Sequence, residues 1–232
     1  MNFGEILREE LAALPRRIGG RSGILMWIFA IVVMGVLLPW QLGYGFLDMP
    51  VLLAYAAMAL LFAAPLVAES FAGERERNAV PSDPRLRRDL LLARVTVGVM
   101  YGWVSPLAMM ALGFVTVNLY YRPQVLLLPP PLISFDLSLL TGLAALLVAS
   151  LAAAIAVRAR DARRAKRTLR QGFLLSLVAL IWYVRAGGAK FETEAAVTRL
   201  AGVAALIILP VSAGLLRLAL TGWDRSEIRL EI

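Results

Sequence analysis

Long apolar runs separated by short charged stretches dominate this chain. A helix that crosses a bilayer needs about 20 mostly apolar residues. Six runs approach or exceed that length, at about 22–46, 51–68, 91–119, 132–157, 172–188 and 200–221. The fifth is the shortest. Pro106 stands inside the third as an expected kink, and the sixth carries Pro210. The pattern predicts an all-α integral membrane protein with a six-helix transmembrane domain over residues 22–222.

The first 21 residues have a different, amphipathic pattern. Four apolar residues fall on one helical face: Phe3, Ile6, Leu7 and Leu11. Asn2 followed by Glu5 predicts a capping box at the start of this helix, and Pro15 is expected to bend it near its end. Gly19 and Gly20 predict a hinge before the first span. We expect residues 1–21 to lie as a helix in the membrane interface; the alternative is a solvated, partly frayed tail.

Composition supports the membrane class and narrows the chemistry. The chain is 60% hydrophobic with a mean hydropathy of +0.75, above the roughly 45–50% apolar content of soluble domains. It contains no Cys and no His, which removes thiolate ligands and the commonest general base. The sequence also has no GxxxxGK[ST], HExxH or GxSxG motif and no cluster of metal ligands. We therefore predict no catalytic residue, no metal site and no cofactor bound by this chain.

The basic residues predict the orientation in the membrane. The net charge is +8, and only four of the 24 basic residues fall in segments on one side of the six spans: Arg122, Arg185, Lys190 and Arg199. The remaining 20 fall on the other side, which the positive-inside bias assigns to the cytoplasm. Both termini, the loops 69–90 and 158–171 and the tail 223–232 are then cytoplasmic. We read the positive charge as a membrane signal and expect no nucleic-acid partner.

Three ionisable residues lie close to the membrane region. Asp136 and Arg185 fall near the outer ends of the fourth and fifth spans, and Arg217 falls in the last turns of the sixth. Charges inside a membrane commonly mark a transport pathway or an ion pair. The alternative is that these side chains extend to the headgroups at the interface.

The link between the third and fourth spans is apolar and rich in proline. It reads YYRPQVLLLPPPLISFD from residue 120 and cannot be a regular helix throughout. It could form a re-entrant or interfacial cap anchored by Tyr120 and Tyr121. A stiff connector resting on the headgroups is the other interpretation.

The densest charge lies directly after the second span. Residues 69–89 read ESFAGERERNAVPSDPRLRRD and mix five acidic with five basic side chains. A mixed-sign surface can form several ion pairs with a partner without exposing a large apolar patch. The alternative is that these residues solvate a helix end and bind lipid phosphates.

Two segments resemble the permease subunits of type-2 ABC exporters. The second span ends in VAESFAGERERNAV, which is similar to the run that closes the second span of many such permeases. The fourth ends in IAVRARDARRAKRTLRQGF, similar to their basic stretch between spans four and five. The chain departs from the family at Pro81 and Pro84, where a helical continuation is usual, and this leaves the helical form of residues 78–89 open.

The resemblance implies a permease that couples to a separate cytoplasmic P-loop ATPase, which would bind ATP and Mg²⁺. It also implies pairing of permeases as a homodimer or heterodimer, contact with membrane lipids and a bacterial inner-membrane location. The implied coupling contact comprises Glu69, Ser70, Phe71, Gly73, Glu74, Arg75, Glu76 and Arg77. Among these, Phe71 is expected to act as a buried anchor, and Gly73 to allow close backbone approach.

Two other functions stay open on the sequence. A membrane scaffold or assembly protein would use the same charged segment to bind a soluble partner or anionic lipid, without nucleotide dependence. A lipid-modifying enzyme is less well supported, because the chain lacks His, Cys and clustered intramembrane acids.

Overall fold

The computed structural model describes residues 2–75, 83–121, 126–158 and 194–228. These residues are helical apart from short connections, and no strand occurs among them. A π-helical turn (Val33–Leu37) joins α2 to α3, and a 3-10 helix (Gly43–Leu47) follows α3. The α-helices are α1 (Phe3–Arg17), α2 (Gly20–Val32), α3 (Leu38–Leu42), α4 (Met49–Ala57), α5 (Ala59–Arg75), α6 (Pro84–Tyr121), α7 (Pro131–Arg158) and α8 (Glu194–Ile228).

Five helical stretches are long and apolar enough to cross a membrane. They are Gly20–Leu47, Met49–Phe71, Pro84–Tyr121, Pro131–Arg158 and Ala195–Gly222. The expected all-helical class is thus confirmed for the described residues. Five of the six expected spans are confirmed as helices whose length and composition suit a membrane crossing, as in a multi-pass protein. The remaining expected span (172–188) lies outside the described residues, as does nearly all of the loop 158–171.

The N-terminal helix begins and ends as the sequence indicates. Asn2 Oδ1 accepts a hydrogen bond from the Glu5 backbone N–H at 3.0 Å, and the Asn2 backbone N–H donates to Glu5 Oε2 at 2.9 Å. This reciprocal pair is the predicted capping box. The helix continues two residues past Pro15, and the hinge follows at Gly19, whose φ of 108° few other residues adopt.

Helical structure occupies most of the charged segment 69–89, which the sequence placed in a loop of 69–90. Helix α5 continues to Arg75, and α6 begins at Pro84, seven residues before the expected start of the third span. Proline is favoured at the first position of a helix, because the N–H that it lacks would have no partner within the helix there. Asp83 caps the new helix, since its Oδ1 accepts the Arg85 amide at 2.9 Å. At the far end of the chain, α8 likewise runs into the predicted tail, to Ile228.

Small residues bring α5, α6 and α7 close together. A core of alanines on α5 and α7 packs on α6 at two glycines, Gly98 and Gly102. A Cβ atom built on Gly102 would lie 2.7 Å from Ala63 Cβ and 3.2 Å from both Ala145 Cβ and the Ala59 carbonyl oxygen. Such close backbone approach is typical of helices that pack in lipid. There the hydrophobic effect does not drive helices together, and van der Waals contact between them takes its place.

The other half of the bundle is built around aromatic side chains and a π-helical turn. Pro39 has no N–H, so a carbonyl one turn before it lacks its usual donor, and the π-helical turn shifts the hydrogen bonds beside it. The Tyr55 hydroxyl donates to the Met34 carbonyl, and Thr116 Oγ1 donates to the Gly35 carbonyl at 3.0 Å. Side chains from two other helices therefore stabilise the first span where its own ladder is interrupted.

The connector before α7 is held to the end of α6. Asn118 Oδ1 accepts a hydrogen bond from the Leu127 backbone N–H at 2.7 Å, and Asn118 Nδ2 donates one to the Leu127 carbonyl at 2.8 Å. Residues 126–130 are irregular, and α7 begins at Pro131. The described part of the link is therefore a connector whose position is fixed by the hydrogen bonds of Asn118. Residues 122–125 lie outside the described residues. The exposed Tyr120 packs edge-on against Trp40, with ring centroids 5.7 Å apart, as in an interfacial aromatic belt.

We expect Gly102→Ala to destabilise the protein by about 1–3 kcal/mol, because the added methyl group overpacks a backbone contact that cannot move aside. The matched control is Gly214→Ala on α8, where an added Cβ meets nothing within 4 Å. Thermal unfolding of both variants in detergent measures the effect. A control that loses as much stability as Gly102→Ala would contradict the close-packing account.

Candidate functional site

Most described charge gathers at one end of the bundle. This end, called the α1 end below, holds α1, the first turns of α6 and the last turns of α5, α7 and α8. Helices α5 to α8 meet in one apolar cluster containing Phe71, Leu91, Val157 and Ala219, and α1 packs against α6. Every arginine in the described part of the chain lies toward this end, except Arg199 near the start of α8. The clustering is the three-dimensional form of the charge asymmetry along the sequence.

A buried ion pair joins α1 to α6 at this end. Arg94 Nε donates to Glu10 Oε1 at 3.3 Å, and both residues are nearly inaccessible, with 3% and 6% exposure. Arg17 approaches the other Glu10 oxygen as an ion pair without hydrogen-bond geometry. Burying two charges costs several kcal/mol each unless they are closely paired. Docking of α1 on α6 is therefore tied to this pair.

The same arginine also contacts α5. The Arg94 guanidinium lies over the Phe71 ring, 5.3 Å from its centroid, in a cation–π arrangement. Phe71 is 4% exposed and belongs to the alanine-rich core of its own chain. Arg94 thus connects α1, α5 and α6 at the point where the charged segment begins.

The expected coupling residues divide into buried and peripheral groups. Ser70 is buried, and its hydroxyl donates to the Val67 carbonyl at 2.7 Å. Glu69 is partly exposed. The α5 backbone remains helical through Gly73, Glu74 and Arg75, whereas Glu76 and Arg77 lie outside the described residues. Because Phe71 and Ser70 face inward, they are placed to fix the end of α5, and a partner contact stays a prediction for the residues after them.

A second buried charge lies near the opposite end. Asp136 is 4% exposed, and Thr198 Oγ1 on α8 donates to its Oδ2 at 2.6 Å. The interpretation that Asp136 extends to the headgroups does not describe this position, since the carboxylate lies between α7 and α8. Arg217 is exposed on α8, consistent with either interpretation, and Arg185 lies outside the described residues.

Two buried contacts are absent from the sequence-based predictions, that of Glu10 with Arg94 and that of Asp136 with Thr198. Glu10 does stand four residues after Ile6, so the two share a face, and Ile6 is buried as well. That spacing was the available signal for Glu10.

A comparison with protein-family models finds no match, and searches of curated proteins and of solved structures find no significant similarity.

We expect Glu10→Gln to loosen α1 by about 3 kcal/mol, because it removes the negative charge on α1 that pairs with the buried Arg94. Hydrogen exchange of the α1 amides should accelerate in this variant. Glu9→Gln, at an exposed position of the same helix, is the matched control and should leave exchange unchanged. Equal exchange in Glu10→Gln and wild type would contradict the docking role of the pair.

We expect Thr198→Val to lower the unfolding temperature, since it removes a donor from a buried carboxylate at a cost of about 1–3 kcal/mol. The double variant Asp136→Leu/Thr198→Val should regain part of this loss, because replacing both partners leaves no unsatisfied charge. Thr96→Val is the control, as that hydroxyl donates to the Leu92 carbonyl within its own helix. The single variant Asp136→Leu completes the cycle. A loss in the double variant equal to the sum of the two single losses would show that the pair is not coupled.

Proposed function

We propose that this chain is the permease subunit of an ATP-driven ABC exporter, coupled to a separate cytoplasmic ATPase through the end of α5 and the residues that follow. The observation that carries the proposal is the junction at Arg94. There the helix that leads into the charged segment is fastened to both α1 and α6. A force applied at the end of α5 would reach three elements at once.

The packing supports transmission of such a force into the membrane. The alanine and glycine contacts place α5, α6 and α7 backbone to backbone, which leaves little room for one helix to move alone. Closure of an ATPase against the charged segment would therefore shift these helices as a unit. In this proposal the chain itself performs no catalysis, and ATP with Mg²⁺ binds to the partner.

The proposed setting is a bacterial inner membrane with both termini in the cytoplasm, which places the α1 end next to the ATPase. The arginine clustering at this end supports that orientation. The α2 and α8 spans are mostly exposed in the single chain, with only 11% of each apolar window buried. We propose that lipid and a second permease, identical or different, cover these faces. The proposed cargo is hydrophobic or amphipathic.

The coupling role predicts that charge reversal after Gly73 uncouples the ATPase. Glu74→Arg and Glu76→Arg, separately and together, should lower stimulation of the co-purified ATPase in liposomes, by at least about tenfold for the double variant, because like charges then meet across the interface. The matched single control is Glu9→Arg, an exposed reversal at the same end of the molecule. It should leave stimulation near the wild-type value.

The outcomes separate the two functions. Normal binding and stimulation by the reversed protein would show that the docking surface lies elsewhere. If no protein with a GxxxxGK[ST] motif accompanies the chain from native membranes, and ATP has no effect, the permease proposal is wrong. The scaffold function would then account better for the charged segment.

A further inference from the structure

An apolar groove opens beside the hinge between α1 and α2. Its volume is about 350 Å³, toward the lower end of the range for small-molecule sites. Its apolar lining comes from four parts of the chain, the hinge, the first span, α5 and α6: Ile18, Met26, Trp27, Ala30, Phe62 and Tyr101. A volume of this size suits a single hydrocarbon chain better than a large folded ligand.

The walls of the groove are fixed by contacts of their own. Trp27 Nε1 donates to Ser105 Oγ at 3.3 Å, which sets the position of the indole. Phe62 packs edge-on against Tyr101, with ring centroids 5.8 Å apart. These contacts join α2 to α6 and α5 to α6, so the groove is a feature of the packing between spans.

Basic residues flank the chain segment that lines the hinge side of the groove. Residues 14–24 read LPRRIGGRSGI, with three arginines and no acidic residue. Arg17 directly precedes the lining residue Ile18 and is already paired with Glu10. Arg16 and Arg21 are exposed, and Arg21 directly precedes Ser22, which also lines the groove. Two exposed cations therefore stand within two residues of the groove lining along the chain, Arg16 before Ile18 and Arg21 before Ser22.

We propose that this groove binds one anionic phospholipid from the leaflet at the α1 end, with an acyl chain along Trp27 and Phe62 and the phosphate beside Arg16 and Arg21. The apolar lining matches the acyl chain, and the exposed arginines beside the hinge match the headgroup. An anionic lipid is favoured over a zwitterionic one because each nearby basic residue adds to its attraction. The proposal does not depend on an ATPase partner, since it concerns only the membrane around this chain.

Quenching of Trp27 fluorescence by brominated lipids tests the proposal on the full chain in vesicles. The chain has five tryptophans, so the Trp27 signal is the difference between wild type and Trp27→Phe. Brominated phosphatidylglycerol and brominated phosphatidylcholine are compared at equal mole fraction. We expect phosphatidylglycerol to quench Trp27 at several-fold lower mole fraction.

Two pairs of variants assign that preference to the groove. Arg16→Gln/Arg21→Gln should reduce the anionic preference by at least about fivefold, whereas Arg8→Gln, an exposed arginine away from the hinge, should not. Ala30→Phe fills the groove and should abolish the preference. Ala108→Phe, at an exposed position of α6 outside the groove, is its control.

Two results would overturn the proposal. Equal quenching by the two lipids, unchanged in Arg16→Gln/Arg21→Gln, would show that the groove holds bulk lipid without selection. Absence of Trp27 quenching by either lipid would show that protein, from this chain or a second copy, covers the groove.

Discussion

The buried guanidinium of Arg94 is the constraint on which the α1 end of this protein depends. An arginine removed from water costs several kcal/mol unless its charge is matched. Here Glu10 supplies the opposite charge and Phe71 supplies the face of an aromatic ring. Because these partners come from α1 and α5, the favourable state of Arg94 requires three helices to be in place together.

The two ends of the bundle are stabilised in different ways. At the α1 end and in the middle, alanines and glycines let α5, α6 and α7 approach closely, and the ion pair fastens α1 over them. Toward the opposite end, aromatic rings around Phe46 and Tyr55 fill the space, and side chains satisfy carbonyls of the π-helical turn before Pro39. Close packing at the α1 end suits it to transmit movement from a partner, which agrees with the coupling role proposed for the end of α5.

Local signals in the sequence were enough for much of the fold. The capping box at Asn2 and the glycine hinge depend on neighbouring residues, and the apolar runs depend on length alone, so they were predictable. The buried charges depend on distant partners, with Glu10 and Arg94 separated by 84 positions and Asp136 and Thr198 by 62. The spacing of apolar and polar residues along the chain gives no signal of such a pairing. On the sequence alone Asp136 is therefore compatible with an interface position, and its burial depends on the contact with α8.

Site-specific photo-crosslinking in native membranes tests the central claim most directly. A photoreactive side chain at position 74, beyond the Phe71 anchor, would be compared with one at the exposed position 44 near the opposite end. The account predicts that position 74 captures an ATPase with a GxxxxGK[ST] motif, that ATP changes the yield, and that position 44 captures none. Absence of such a protein at position 74, or equal capture at both positions, would contradict the claim that the end of α5 couples this chain to an ATPase.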